Sequence, residues 1–114
     1  MTPTEFRRLA LRLPEAVESS HMGHADFRVG GKIFATLGYP NDEYAVVMLS
    51  PQDQELIVRD HPKTFAPVKG KWGEMGSTTV RLAGANKKAV SIALQAAWSR
   101  RAPKRLTATR PAGR

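Results

Sequence analysis

Between Phe27-Arg28-Val29 and Ile33-Phe34-Ala35-Thr36-Leu37 stand two adjacent glycines, Gly30-Gly31, and no other feature restricts the fold of this chain as strongly. Successive side chains alternate faces in an extended strand, and paired glycines tolerate the positive φ that a tight reversal demands, so the stretch predicts an antiparallel hairpin. Loop length then decides which side chains share a face. A two-residue turn pairs Val29 with Lys32 and Phe27 with Phe34, dividing the apolar side chains between both faces. A three-residue loop that includes Lys32 gathers Phe27, Val29, Ile33, Ala35 and Leu37 on one side and leaves Arg28, Lys32 and Phe34 on the other. The second register removes more apolar surface from water, at about 25 cal/mol per Å², and is the one the sequence predicts.

The other elements are marked by their boundaries. Thr2, Pro3 and Glu5 supply an N-cap, a proline at the first helical position and an acid at the third. Phe6, Leu9, Ala10 and Leu13 follow at helical spacing, with Arg7, Arg8 and Arg12 facing elsewhere, until Pro14 ends the helix. From Ala16 to Leu49 the period is that of strands, and with Gly30-Gly31 and Pro40-Asn41-Asp42 as turns it predicts three of them. The third, Tyr44 to Leu49, is almost continuously apolar and belongs in the middle of a sheet. Ser50, Pro51 and Asp53 repeat the capping pattern for a helix to Asp60, with Leu56 and Ile57 as its apolar side. Two short strands follow, near Phe65 to Val68 and Thr78 to Ala83, joined by KGKWGEMGS, which reads as a long glycine-hinged loop. Asn86 caps a last helix with Val90, Ala93, Leu94, Ala97 and Trp98 on one face, ended by Arg100-Arg101-Ala102-Pro103. The order α-β-β-β-α-β-β-α predicts an α+β fold, a two-layer sandwich with helices on one side of an antiparallel sheet. Residues 1–106 are expected to form one domain and residues 107–114 a basic, disordered tail.

Composition excludes several classes. With 114 residues and no cysteine, the chain is long enough for one core and has neither disulfides nor thiolate metal sites. No apolar run approaches the roughly 20 residues of a membrane span, and a cytoplasmic protein is expected. His21 and His24 with Asp26 are of metal-ligating type, yet i and i+3 in one strand point to opposite faces and no fourth ligand is apparent. Ser20-His21 is no dyad for the same reason, and His24 with Asp26 reads as a structural pair or, at most, one side of a small-ligand pocket. No enzymatic activity, metal or cofactor is expected.

Charge is distributed unevenly. Residues 1–74 carry nine Lys or Arg against ten Asp or Glu, whereas residues 75–114 carry nine Lys or Arg and no acid. A one-signed field of this kind suits a polyanion. Trp72, flanked by Lys69 and Lys71, joins an indole to cations in a combination suited to stacking on bases. Large aromatics beside glycines more often tuck against a sheet, and a tucked indole is the expectation here.

The stretches from His21 to Ala35, Trp72-Gly73 with Gly76, Ala97-Trp98 and Ala102-Pro103-Lys104 resemble the MmcQ/YjbR family of small bacterial and archaeal proteins. The resemblance implies an α+β fold like that of type III secretion chaperones, described as double-winged, and a DNA-binding role that rests on fold similarity. Residues suited to phosphate contact are then Arg28, Lys32, Lys69, Lys71, Lys87, Lys88, Arg100, Arg101, Lys104 and Arg105, with Trp72 or Phe34 as a stacking surface. The alternative is a non-enzymatic protein-interaction module, chaperone-like and dimeric, that uses an exposed sheet face.

Overall fold

In a computed structural model, which describes residues 1–108, the elements in chain order are α1 (Pro3–Leu11), β1 (Val17–His21), β2 (His24–Val29), β3 (Lys32–Leu37), β4 (Tyr44–Met48), α2 (Pro51–Asp60), β5 (Phe65–Pro67), α3 (Lys71–Glu74), β6 (Ser77–Arg81), α4 (Lys87–Arg101) and α5 (Lys104–Ala108). The strands form one antiparallel six-stranded sheet in the order β1-β2-β3-β4-β6-β5, so β4 is central as its apolar run requires. The protein is α+β, with α1, α2 and α4 over one face.

Caps form where the sequence sets them. The Thr2 hydroxyl accepts from the Glu5 amide while the Glu5 carboxylate accepts from the Thr2 amide, and Ser50 and Asn86 cap α2 and α4 through the amides of Asp53 and Ala89. Two expectations are corrected. The segment from Ala16 to Val29 is two strands, because Met22 and Gly23 both adopt positive φ, +49° and +80°, and reverse the chain. KGKWGEMGS contains a turn of helix, α3, where the sequence predicts only loop. Of the tail expected from residue 107, residues 107 and 108 complete α5, and residues 109–114 lie outside the described residues.

The hairpin register differs from the prediction in an instructive way. Gly30-Gly31 is a two-residue turn, with Val29 opposite Lys32 and Arg28 opposite Ile33. The pairing then shifts, so that Phe27 faces Ala35 and Asp26 faces Thr36. Phe34 is the extra residue of a β-bulge. The bulge brings Ala35 and Leu37 into the core with Phe27 and Val29, as the longer loop was expected to do, but Ile33 and Phe34 exchange the faces expected of them: Phe34 is buried in the core and Ile33 stays half-buried opposite Arg28. Phe34, fully buried, is unable to serve as a stacking surface.

On the core face Ala45, Val47, Phe65 and Val80 meet Val90, Ala93, Leu94, Ala97 and Trp98 of α4, with Phe6, Leu9 and Ala10 of α1 beside them. Phe6 sits edge-on to Phe27, ring centroids 6.1 Å apart. Trp98 is fully buried and its Nε1–H donates to the Pro14 carbonyl at 2.9 Å, joining the end of α4 to the end of α1. Leu56 is 47% exposed; the buried residue of α2 is instead Gln54, whose amide donates to the carbonyls of Gly73 and Ser77.

This packing sets the expected cost of two kinds of substitution. Trp98→Ala removes the largest core side chain and orphans the Pro14 carbonyl, and should cost about 3–5 kcal/mol in denaturant unfolding. Gly31 has φ +80° with open space around it, whereas a Cβ on Gly30, φ +58°, would lie 2.8 Å from Pro103 Cγ. Gly31→Val should therefore cost about 1–3 kcal/mol through backbone strain alone, and Gly30→Val more than that; equal midpoints for both variants would contradict the Gly30–Pro103 packing.

Candidate functional site

α1 and α4 run side by side in the same direction. The Met1 ammonium donates to the Leu82 carbonyl ahead of α4, while Pro14 after α1 receives the Trp98 indole near the end of α4. Both helices thus end at one corner, where Gly30 of the hairpin tip meets Pro103 and Arg105 grips Glu15 through two bonds of 2.7 and 2.8 Å. The corner collects Lys32, Arg100, Arg101, Lys104 and Arg105 from the predicted set, and adds Arg8 and Arg12 of α1, which charge counting in the last third of the sequence overlooked. Lys87 and Lys88 stand at the opposite end of α4, a 15-residue helix about 22 Å long. Lys69 precedes α3 and Lys71 opens it, away from this corner in the chain.

The cations at the corner are not equivalent. Arg105 is committed to Glu15, whose carboxyl it holds below the usual range. Lys32, Arg100 and Lys104 are exposed. Arg101 is half-buried, and its Nε is buried with no hydrogen-bond partner among the described residues. Burial, with Arg100 beside it, lowers its pKa from the ordinary guanidinium value.

The outer sheet face, opposite the core helices, holds a cleft of about 500 Å³ with His21, His24, Thr36, Tyr39, Trp72 and Ser77 around it and Val46, Met48 and Val68 beneath. The Met22-Gly23 reversal sets His21 directly opposite His24, so the i, i+3 pair shares a face after all. Asp26 is fully buried there. It accepts from Arg28 Nε and Nη2 at 2.8 and 3.0 Å, and its Oδ2 lies 2.7 Å from His21 Nδ1. The partner of Asp26 is therefore His21 rather than His24, and Arg28, expected to meet phosphate, is paired with Asp26 while its side chain stays about one-third exposed. Trp72, expected to be tucked in, is 69% exposed at the rim. A smaller groove between α2 and α4, about 210 Å³, carries Asp53 and Asp60 on its margin and is unsuited to a polyanion.

The basic corner and the outer-face cleft lie on a small α+β scaffold. The YjbR family model matches residues 11–100, and the chain belongs to that family. Among solved structures it is similar to the crystal structure of the Deinococcus radiodurans protein DR2400, described as a DUF419 domain, with 20% identity, a TM-score of 0.69, and coverage of 85% of this chain and 75% of that one. That likeness concerns the fold. None of the curated proteins matches. No helix among the described residues is long and apolar enough to cross a membrane.

The Asp26 network makes stability depend on pH. The Arg28 hydrogen bonds hold the Asp26 carboxyl below its ordinary value against the opposing effect of burial, with His21 adding to the depression. A carboxylate with a depressed folded pKa stabilises the fold above its unfolded pKa, near 3.9, and loses that contribution as pH falls through the folded value. Asp26→Asn should cost roughly 1.5–3 kcal/mol at pH 7, the range for hydrogen bonds to a charged group. In urea melts the gap to the wild type should narrow as pH falls below about 4; a gap independent of pH would refute the assignment.

Proposed function

We propose that this protein binds DNA with little sequence preference, through phosphate contacts at the corner where α1 and α4 end. The observation that carries the reading is Arg101. A half-buried guanidinium whose Nε–H lacks an acceptor is costly, and a second cation at its side adds repulsion, so an anion arriving beside the guanidinium offsets the unfavourable charge. Arg guanidinium groups match phosphate oxygens in geometry as well as charge. Arg100 acts on it directly, Lys32, Lys104, Arg8 and Arg12 are further exposed donors on the elements that end at this corner, and Arg105 with Glu15 fixes the position of α5. Contacts of this type orient a duplex without reading its bases. The role is one of binding rather than catalysis.

Point substitutions suit the test better than truncation, because Pro103 and Arg105 also pack the hairpin tip and the end of α1. With a random-sequence duplex titrated over a range of salt, Arg100→Ala/Lys104→Ala should weaken binding for every sequence, flattening log K against log[salt] by about 0.9 for each phosphate no longer neutralised. Lys87→Ala/Lys88→Ala, at the far end of α4, should leave the slope unchanged. Equal weakening in both double variants would reduce the corner to general charge. Absence of duplex binding by the wild type at ~50 mM salt, where phosphate contacts are strong, would overturn the reading and favour a protein-interaction module.

A further inference from the structure

We propose that the outer-face cleft is a separate site for a single nucleobase carrying a phosphate, its ring stacked on Trp72, its edge toward His21 and its phosphate toward Lys69 and Lys71. The inference stands on the cleft alone, independent of duplex binding at the basic corner.

Two groups at the cleft are exposed yet rigidly held. Trp72 rides on α3, a turn pressed closely against the sheet: a Cβ on Gly73 would lie 1.6 Å from the Val68 carbonyl oxygen, and one on Gly76 1.9 Å from that of Leu49. The buried Gln54 amide clamps the same turn by donating to the carbonyls of Gly73 and Ser77 at 2.9 and 3.0 Å. An indole 69% exposed on such a support is a stacking surface whose backbone is already fixed, so only its side-chain rotamers remain to be ordered on binding. His21 is fixed in the same sense. Its Nδ1 faces the ionised, fully buried Asp26, which only accepts, so the neutral imidazole carries its proton on Nδ1 and offers Nε2 as an acceptor.

The chemistry between these groups selects the ligand. A cleft of about 500 Å³ is within the range of small-ligand sites. Its floor of Val46, Met48 and Val68 is apolar and suits a flat ring. The Thr36 hydroxyl can give or take a hydrogen bond at the ring edge, the Ser77 hydroxyl, which donates to Met48 Sδ, can take one, and His21 Nε2 takes one from an N–H. Lys69 and Lys71, both exposed and three and one residues ahead of Trp72 in the chain, supply the positive charge that a phosphate requires. A π-face, a polar edge and an adjacent cation pair together describe a site for a nucleotide, free or within a single strand.

The test is titration of the full chain with adenosine 5′-monophosphate, uridine 5′-monophosphate, adenosine and an eight-residue oligothymidylate, followed by indole fluorescence and by the imidazole NMR signals of His21. Saturable quenching with shifted His21 signals is expected. Trp72→Ala should weaken binding by about tenfold or more, within what one base–aromatic stack supplies, while Trp72→Phe retains most of it. Lys69→Ala/Lys71→Ala should weaken the nucleotides but leave adenosine unaffected, and His21→Ala should weaken adenosine as well. Because Trp72, Lys69 and Lys71 are exposed, unchanged melting midpoints check that these variants fold. Binding of the mononucleotides assigns a free ligand; binding of the oligonucleotide alone assigns a strand. No saturable response to any probe at millimolar concentration, or undiminished affinity in Trp72→Ala, would overturn the proposal and leave the cleft to a protein partner.

Discussion

One extra residue in β3 organises both faces of the sheet. With the two-residue Gly30-Gly31 turn and no bulge, alternation would place Ala35 and Leu37 on the outer face and Thr36 in the core. The bulge at Phe34 reverses the phase from that point onward, so Ala35 and Leu37 join Phe34 in the core while Thr36 stands beside Asp26 outside. Apolar burial is the driving force, because each large side chain moved from water to the core contributes on the order of 1.5–3 kcal/mol. The polar face is its consequence: Asp26, Arg28, Thr36 and the two histidines fall together because their neighbours in sequence were drawn inward.

The same core fixes the basic corner. α4 lies on β3 and β4, α1 lies against α4, and the Trp98–Pro14 bond sets how far the two helices slide past each other. Parallel helices bring like ends together, so cations from the last turns of both meet at the hairpin tip. Their partial compensation comes from the helix C-terminal dipoles and from Glu15. Arg101 is left in the least comfortable place. Half-buried, beside Arg100 and without an acceptor for its Nε among the described residues, it holds unsatisfied electrostatic energy at a position where the fold also presents exposed donors.

The two surfaces differ in how they achieve order. At the corner, long basic side chains stand at the joint of α1, α4 and the hairpin tip. At the cleft, close approach of glycines to main-chain carbonyls and the Gln54 amide hold the indole, while a buried carboxylate holds the imidazole. A surface of the first kind suits a ligand of uniform charge; one of the second kind suits a defined shape.

Read alone, the sequence determined the features set by neighbours in the chain. Thr2, Ser50 and Asn86 announce their helices because capping acts across three residues, and the apolar stripe ending at Trp98 identifies the buried face of α4 because helical spacing is local. The acid-free last third was equally plain. Tertiary structure decided what alternation could not: that Met22 accepts a positive φ and turns the chain, bringing His21 onto the face of His24, and that a bulge rather than a longer loop corrects the register. It also decided that Arg28 is committed to Asp26, that Trp72 is exposed, and that Arg8 and Arg12 join the cations of α4 and α5. These outcomes depend on interactions between residues far apart in sequence, where the free energy of filling one core overrides the preference of any single segment.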